Sequence, residues 1–150
     1  MKVVILCGGV GTRLREETEF RPKPMVEIGG KPILWHIMKN FAHHGYNDFI
    51  LCLGYKGEAI RDYFLNYERR NNDFTINLGT GKVQVYNRHQ EQDWQVTLVD
   101  TGLNTMTGAR VKRIEKYIEG KCFLLTYGDG VTNLDINPLV EFHRTRKKLG

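Results

Sequence analysis

The chain has 150 residues, 41% of them hydrophobic and 26% charged, which suits one ordinary domain with a real core and excludes a disordered or fibrous protein. No apolar run reaches the length of a membrane span, and the opening MKVVIL breaks at glycine before a secretory core could form, so a cytoplasmic protein is expected. A net charge of +5 is compatible with nucleic acid, with phosphorylated small molecules or with solubility alone.

In chain order, the first predicted element is the strand VVILC (3–7). Behind it stands LCGGVGTRL (6–14), in which Gly8, Gly9 and Gly11 supply backbone N–H groups free of side-chain obstruction, as close approach to a phosphate chain requires. A dinucleotide loop of the G-x-G-x-x-G type would need glycine at position 14, which is Leu14, and no G-K-[ST] follows to make a Walker loop. The loop continues instead into Thr12 and Arg13, whose rigid fork suits phosphate oxygens. Ten residues on, Lys23 sits between Pro22 and Pro24, which restrict the backbone and preset the direction of its charge.

The stretch KPILWHIMKNFAHHG (31–45) has Ile33, Leu34, Ile37, Met38 and Phe41 at helical spacing, Pro32 near its start and Gly45 at its end, and predicts the first crossover helix. Trp35, His36, His43 and His44 are expected to pack or cap there rather than hold metal. A strand FILCL (49–53) follows. A helix over 56–67 is predicted to turn Ile60, Phe64 and Tyr67 inward.

The segments TINL (75–78), VQVYN (83–87) and QVTLVD (95–100) alternate like half-exposed strands and predict an antiparallel excursion around the turn GTGK. A helix over 107–118 directs Val111, Ile114 and Ile118 inward, leaving Arg110 solvated or near a ligand. The strand FLLTY (123–127) ends in GDG, where Asp129 emerges at the C-terminal end, the place at which open α/β sheets bind ligands. The last pattern, NPLVEFHRTRKKLG, is a helix with RTRKK as its solvated end. Cys7, Cys52 and Cys122 are odd in number and widely spaced, and each lies in an apolar run. Buried reduced thiols are expected rather than disulfides or a metal clip.

Alternating strands and helices predict an α/β fold, Rossmann-like, with a mostly parallel sheet and helices on both faces. Ending on a helix with no return strand, the 150 residues are expected to form one domain, the N-terminal portion of a longer fold.

LCGGVGTRL followed by RPKPMVEIGGKPILWHI resembles the signature of the sugar-nucleotide pyrophosphorylases, nucleotidyltransferases that join a sugar 1-phosphate to an NTP. KPILWHIMK, LVDTGLNTMTGARVKR and TYGDGV are most similar to the branch that uses CTP and glucose 1-phosphate. The resemblance implies in-line attack of the sugar phosphate on the α-phosphorus with release of pyrophosphate. It implies that Leu6, Cys7, Gly8, Gly9 and Val10, with the Gly11-Thr12-Arg13 turn, hold CTP. Arg13 would act on the leaving phosphates and Lys23 near the α-phosphate, these two being the catalytic candidates. Asp129 would hold Mg2+, while Thr105, Arg110 and the Gly128 backbone would recognise the base. The family's second metal carboxylate and its Glu-Lys-Pro segment for the sugar phosphate are not among these residues. The expected partners are CTP and a sugar 1-phosphate, without nucleic acid or membrane, in a homo-oligomer. A CTP-binding module without turnover, a thymidylyl- or uridylyltransferase, and an NAD-dependent oxidoreductase are the competing readings.

Overall fold

The computed structural model describes residues 1–9, 20–86, 89–120 and 122–146. Its elements are β1 (Val3–Leu6), a 3-10 turn (Lys23–Met25), β2 (Glu27–Ile28), β3 (Lys31–Pro32), α1 (Ile33–His43), β4 (Asp48–Leu53), α2 (Gly57–Leu65) and α3 (Tyr67–Asn71). They continue with β5 (Phe74–Ile76), β6 (Val83–Val85), β7 (Gln95–Asp100), α4 (Thr107–Arg113), a second 3-10 turn (Glu115–Tyr117), β8 (Leu124–Tyr127) and α5 (Ile136–Arg146).

The central sheet has the order β7-β4-β1-β8, and every pairing in it is parallel. Four consecutive apolar residues make β1 a strand buried on both faces, as a parallel sheet covered by helices requires. Val3 and Ile5 face a core shared with Leu34, Ile37, Met38 and Phe41 of α1, Ile60 and Tyr63 of α2, Tyr67 of α3, and Ile136 and Val140 of α5. Val4 and Leu6 face the opposite way, with Ile50, Cys52, Val99 and Ile114, the residue that ends α4. The predicted α/β architecture, with helices on both faces, is therefore the one observed.

Helix α1 forms where its apolar spacing predicts, with Leu34, Ile37, Met38 and Phe41 buried. Each such side chain contributes about 1.5–3 kcal/mol when fully buried. No side chain caps its start; the Ile33 N–H instead donates to Val26 O at 2.8 Å, which ties the helix to the Lys23 turn. It stops at Gly45, whose φ of +85° suits glycine and few other residues.

Three expectations need correction. The segment 95–100 is a parallel strand beside β4, and of the three predicted segments only those at β5 and β6 form the antiparallel excursion; β7 tolerates polar residues because it is a sheet edge and only partly covered. The helix predicted over 56–67 breaks at Asn66, separating α2 from α3, and Tyr63, not foreseen as inward, is buried while Phe64 is only partly so. Cys7 and Cys52 are buried, but Cys122 is exposed.

Candidate functional site

The chain runs from β1 to β4 on one side and returns as β8 on the other, so the topological switch point lies between the C-terminal ends of β1 and β8. In open α/β sheets that crevice is where ligands bind. Cys7, Gly8 and Gly9 leave β1 there, and Gly128 and Asp129 leave β8. The Gly128 N–H donates to Leu6 O at 3.0 Å. A Cβ on Gly128 would stand 3.0 Å from both Cys7 Sγ and Pro24 Cγ, so glycine lets the two strand ends and the Lys23 turn close on one another.

The turn itself is fixed by its prolines. Pro22 is extended (φ −68°, ψ 150°), Met25 N–H donates to Pro22 O at 2.8 Å and Val26 N–H to Lys23 O at 3.1 Å. Pro24 and Met25 are buried and anchor the turn on the core, leaving Lys23 to project over the cleft. Its Nζ meets Asp129 Oδ2 at 2.9 Å. Two residues predicted separately for phosphate and for metal thus form one ion pair at the cleft mouth.

Cys7 is not a nucleophile here. Burial, then the neighbouring Cys52 and Asp129, push its thiol far above the ordinary range, and burial raises Cys52 to about 11 despite the charge of Arg110. Both thiols stay protonated at neutral pH.

Arg110 is neither solvated nor extended into open space: it is 6% exposed. Nη1 donates to Leu53 O at 2.9 Å and Thr101 Oγ1 at 2.7 Å, and Nη2 donates to Gly8 O and Leu103 O, both at 3.1 Å. Thr105, its companion from the sequence, accepts at Oγ1 a hydrogen bond from Arg113 Nη1 at 2.8 Å. Arg113 also donates to Thr101 O at 2.5 Å. Arg113, Thr101 and Gly54 had not been singled out. The available signal for Arg110 was its place four residues before Ile114, on the helix face that packs inward.

Leu6, Cys7, Gly8, Gly9, Lys23, Thr105, Arg110 and Asp129 all line one cleft of about 240 Å3, and Gly128, which is not among its lining residues, bonds through its backbone to Leu6. Val10, Gly11, Thr12 and Arg13 lie outside the described residues. Among the described residues no group of three or more His, Cys, Asp or Glu is placed to hold a metal. His36 in α1 and His44 just after it do structural work: His44 Nδ1 lies 3.2 Å from Asp135 Oδ1, and His36 Nε2 lies 2.9 Å from Ile28 O. Trp35 Nε1 donates to Tyr67 OH at 2.8 Å.

A larger concavity of about 750 Å3 runs along β7, between Phe64, Tyr67, Trp94 and Leu98. Its buried polar groups are committed to one another. Glu91 accepts from Lys39 Nζ at 2.8 Å and from Tyr67 OH at 3.2 Å, and His89 Nε2 lies 2.9 Å from Glu68 Oε1. The smaller cleft is the one that gathers charge, glycine backbone and strand ends.

Over 149 residues the chain is 54% identical to glucose-1-phosphate cytidylyltransferase of Salmonella typhimurium, covering 99% of this chain and 58% of that protein. The chain therefore spans somewhat more than half the length of that relative. Among solved structures it is similar to HddC from Yersinia pseudotuberculosis complexed with GMP-PN, at TM-score 0.67 and 30% identity over 95% of this chain and 53% of that one. A UDP-glucose pyrophosphorylase complexed with UDP-glucose shares the fold at TM-score 0.69 and 16% identity, over 97% of this chain and 54% of that one. Residues 2–150 match the family described as Nucleotidyl transferase. With the glycine turn at the end of β1, the Lys23–Asp129 pair at the switch point and that match over nearly the whole length, the chain belongs to the nucleotidyl transferase family.

Proposed function

We propose that residues 1–150 form the nucleotide-binding portion of a glucose-1-phosphate cytidylyltransferase, which converts CTP and α-D-glucose 1-phosphate to CDP-glucose and pyrophosphate. The observation that carries the reading is the meeting of Lys23 and Asp129 beside the glycine loop, in a chain 54% identical to a protein of that name.

The backbone of Leu6 to Val10 and the residues Gly11, Thr12 and Arg13 would bind the triphosphate, with Arg13 on the leaving phosphates. Lys23 neutralises charge at the α-phosphate. The sugar phosphate oxygen forms a bond to the α-phosphorus while the bond to the bridging oxygen breaks in line, and pyrophosphate carries away the electron pair. These residues align two anions and offset charge, and no covalent enzyme intermediate is required. Asp129 would hold Mg2+. A carboxylate 40% exposed at its side chain suits an ion that takes most of its ligands from phosphate and water and would supply charge neutralisation when bound. Thr105 and the Gly128 backbone would recognise the base. No helix among the described residues is long and apolar enough to cross a membrane; we place the enzyme in the cytoplasm as a homo-oligomer, making CDP-glucose for surface-polysaccharide synthesis.

The test is a panel of CTP, dTTP and UTP with glucose 1-phosphate and magnesium, following pyrophosphate release. CTP is expected to be preferred, and a better rate with dTTP or UTP would transfer the reading to a thymidylyl or uridylyl enzyme. Because the chain spans 58% of the Salmonella protein, a CTP-binding module without turnover is the second reading. Calorimetric binding of CTP with no pyrophosphate released would establish it.

A further inference from the structure

Arg110 stands where three parallel strands end. Its two terminal nitrogens carry four hydrogens, and these reach four protein acceptors: Leu53 O at the end of β4, Thr101 Oγ1 after β7, Gly8 O after β1, and Leu103 O in the loop before α4. A guanidinium cannot shed its charge, so burying it requires such a set of acceptors. Thr101 completes the arrangement by donating its own hydroxyl to Leu53 O at 2.6 Å.

The glycines around it have the space to match. A Cβ on Gly8 would collide with the guanidinium, and one on Gly54 would stand 2.7 Å from Nη1. Neither glycine has a positive φ, so backbone strain does not explain them; the room taken by Arg110 explains Gly8, and at Gly54 the Gly8 backbone, 2.8 Å away at its carbonyl oxygen, adds to it. The Gly8 carbonyl is held by Nη2 on the buried side, with Tyr55 N–H at 3.4 Å as a second donor. In a trans peptide the following N–H points the opposite way. Gly9 is exposed, and among the described residues nothing accepts from its N–H.

We propose that Arg110 is a positioning residue: by drawing the Gly8 carbonyl inward it turns the Gly8–Gly9 peptide so that the Gly9 N–H is presented to the polyphosphate. This rests on the nucleotidyl-transfer reading and assigns the arginine to the phosphate half of the site. Its fork is spent on the chain, and only Nε–H is left for a base.

The experiment measures calorimetric affinity for CTP, UTP and inorganic triphosphate in the full chain with Arg110→Ala, Arg110→Lys, Gly8→Ala and the Gly8→Ala/Arg110→Ala double variant, together with melting temperature. A positioning role predicts that Arg110→Ala weakens CTP and triphosphate by the same factor, about tenfold or more, leaving the CTP to UTP ratio unchanged. Arg110→Lys, which offers one point charge in place of the fork, should recover only part of the loss. Gly8→Ala should reproduce the defect, yet add almost nothing in the Arg110→Ala background, where its methyl has room. A loss confined to CTP with triphosphate binding intact would overturn the proposal and make Arg110 a base contact, while leaving the nucleotidyl-transfer reading standing. Additive melting shifts for Gly8 and Arg110 would overturn it independently of any ligand. Wild-type protein that binds neither CTP nor triphosphate would remove both readings together.

Discussion

Lys23 and Asp129, separated by 106 positions in the sequence, meet at 2.9 Å across the mouth of the cleft. Their side chains are 23% and 40% exposed, so water screens the pair and its contribution to stability is small, about 0–1 kcal/mol. Lys23→Ala and Asp129→Asn are therefore expected to melt close to the wild type while turnover falls by about a hundredfold or more. Melting curves beside a pyrophosphate-release assay would check this. A loss of stability matching the loss of activity would count against a functional role.

Two glycines of the site should respond differently to alanine. Gly128→Ala would press a methyl against Cys7 Sγ and Pro24 Cγ, each 3.0 Å away, costing about 1–3 kcal/mol through overpacking and shifting the Lys23 turn. Among the described residues an added Cβ at Gly9 meets nothing within 4 Å, so Gly9→Ala is expected to melt normally and still weaken nucleotide binding, because the methyl would occupy space on the phosphate side of the loop. Denaturant titration with CTP calorimetry separates the two effects.

Glu91 gives a pH dependence. Burial would raise its pKa, but the ammonium of Lys39 and the hydroxyl of Tyr67 hold it below the ordinary 4.5. A carboxyl with a depressed native pKa adds stability above its unfolded value and loses it as pH falls through the native one. Glu91→Gln should then cost about 1–3 kcal/mol at pH 7, with the gap to wild type closing as the solution is acidified below about pH 4.5. Parallel melts across that window test it; a gap that stays constant would show that charge is not what stabilises the pair.

The thiols should divide two to one. Cys7 and Cys52 are buried with raised pKa values, whereas Cys122 is exposed. Titration of the native protein with a thiol reagent is expected to find one fast group, and unfolding should release the other two. Alkylated Cys122 should leave CTP binding unchanged, since that residue is not among those lining the cleft.

Much of the sheet was legible because its central strands are continuous apolar runs, and α1 because its periodicity is unbroken from Leu34 to Phe41. The strand at 95–100 misled because polar Gln95, Thr97 and Asp100 interleave with Val96, Leu98 and Val99 in the sequence, which mimics an antiparallel strand, whereas Val96, Thr97 and Leu98 are all partly buried and only Val99 is buried at this sheet edge. Asn66 hides a break within a helical pattern, donating its side-chain amide to Asp62 O at 2.9 Å. At the site, proline flanks and a strand end marked out Lys23 and Asp129 one at a time, but nothing local tells that they touch. Arg110 was the hardest case. A charged residue near a helix start reads as solvated until the carbonyls of Gly8, Leu53 and Leu103 are brought around it by the sheet.

The place of β1 between β4 and β8 has a kinetic side. Val3 pairs with Phe49 on one flank and Leu124 on the other, so β1 leaves the ribosome some 120 residues ahead of its second neighbour. At roughly 5–20 residues per second that is about 6–24 s, during which VVIL keeps one backbone edge open. Pairings so distant in sequence also slow the closing step itself. The same strand that carries the glycine loop is thus among the last parts of the sheet to be secured, and the Lys23–Asp129 pair can form only once β8 has docked.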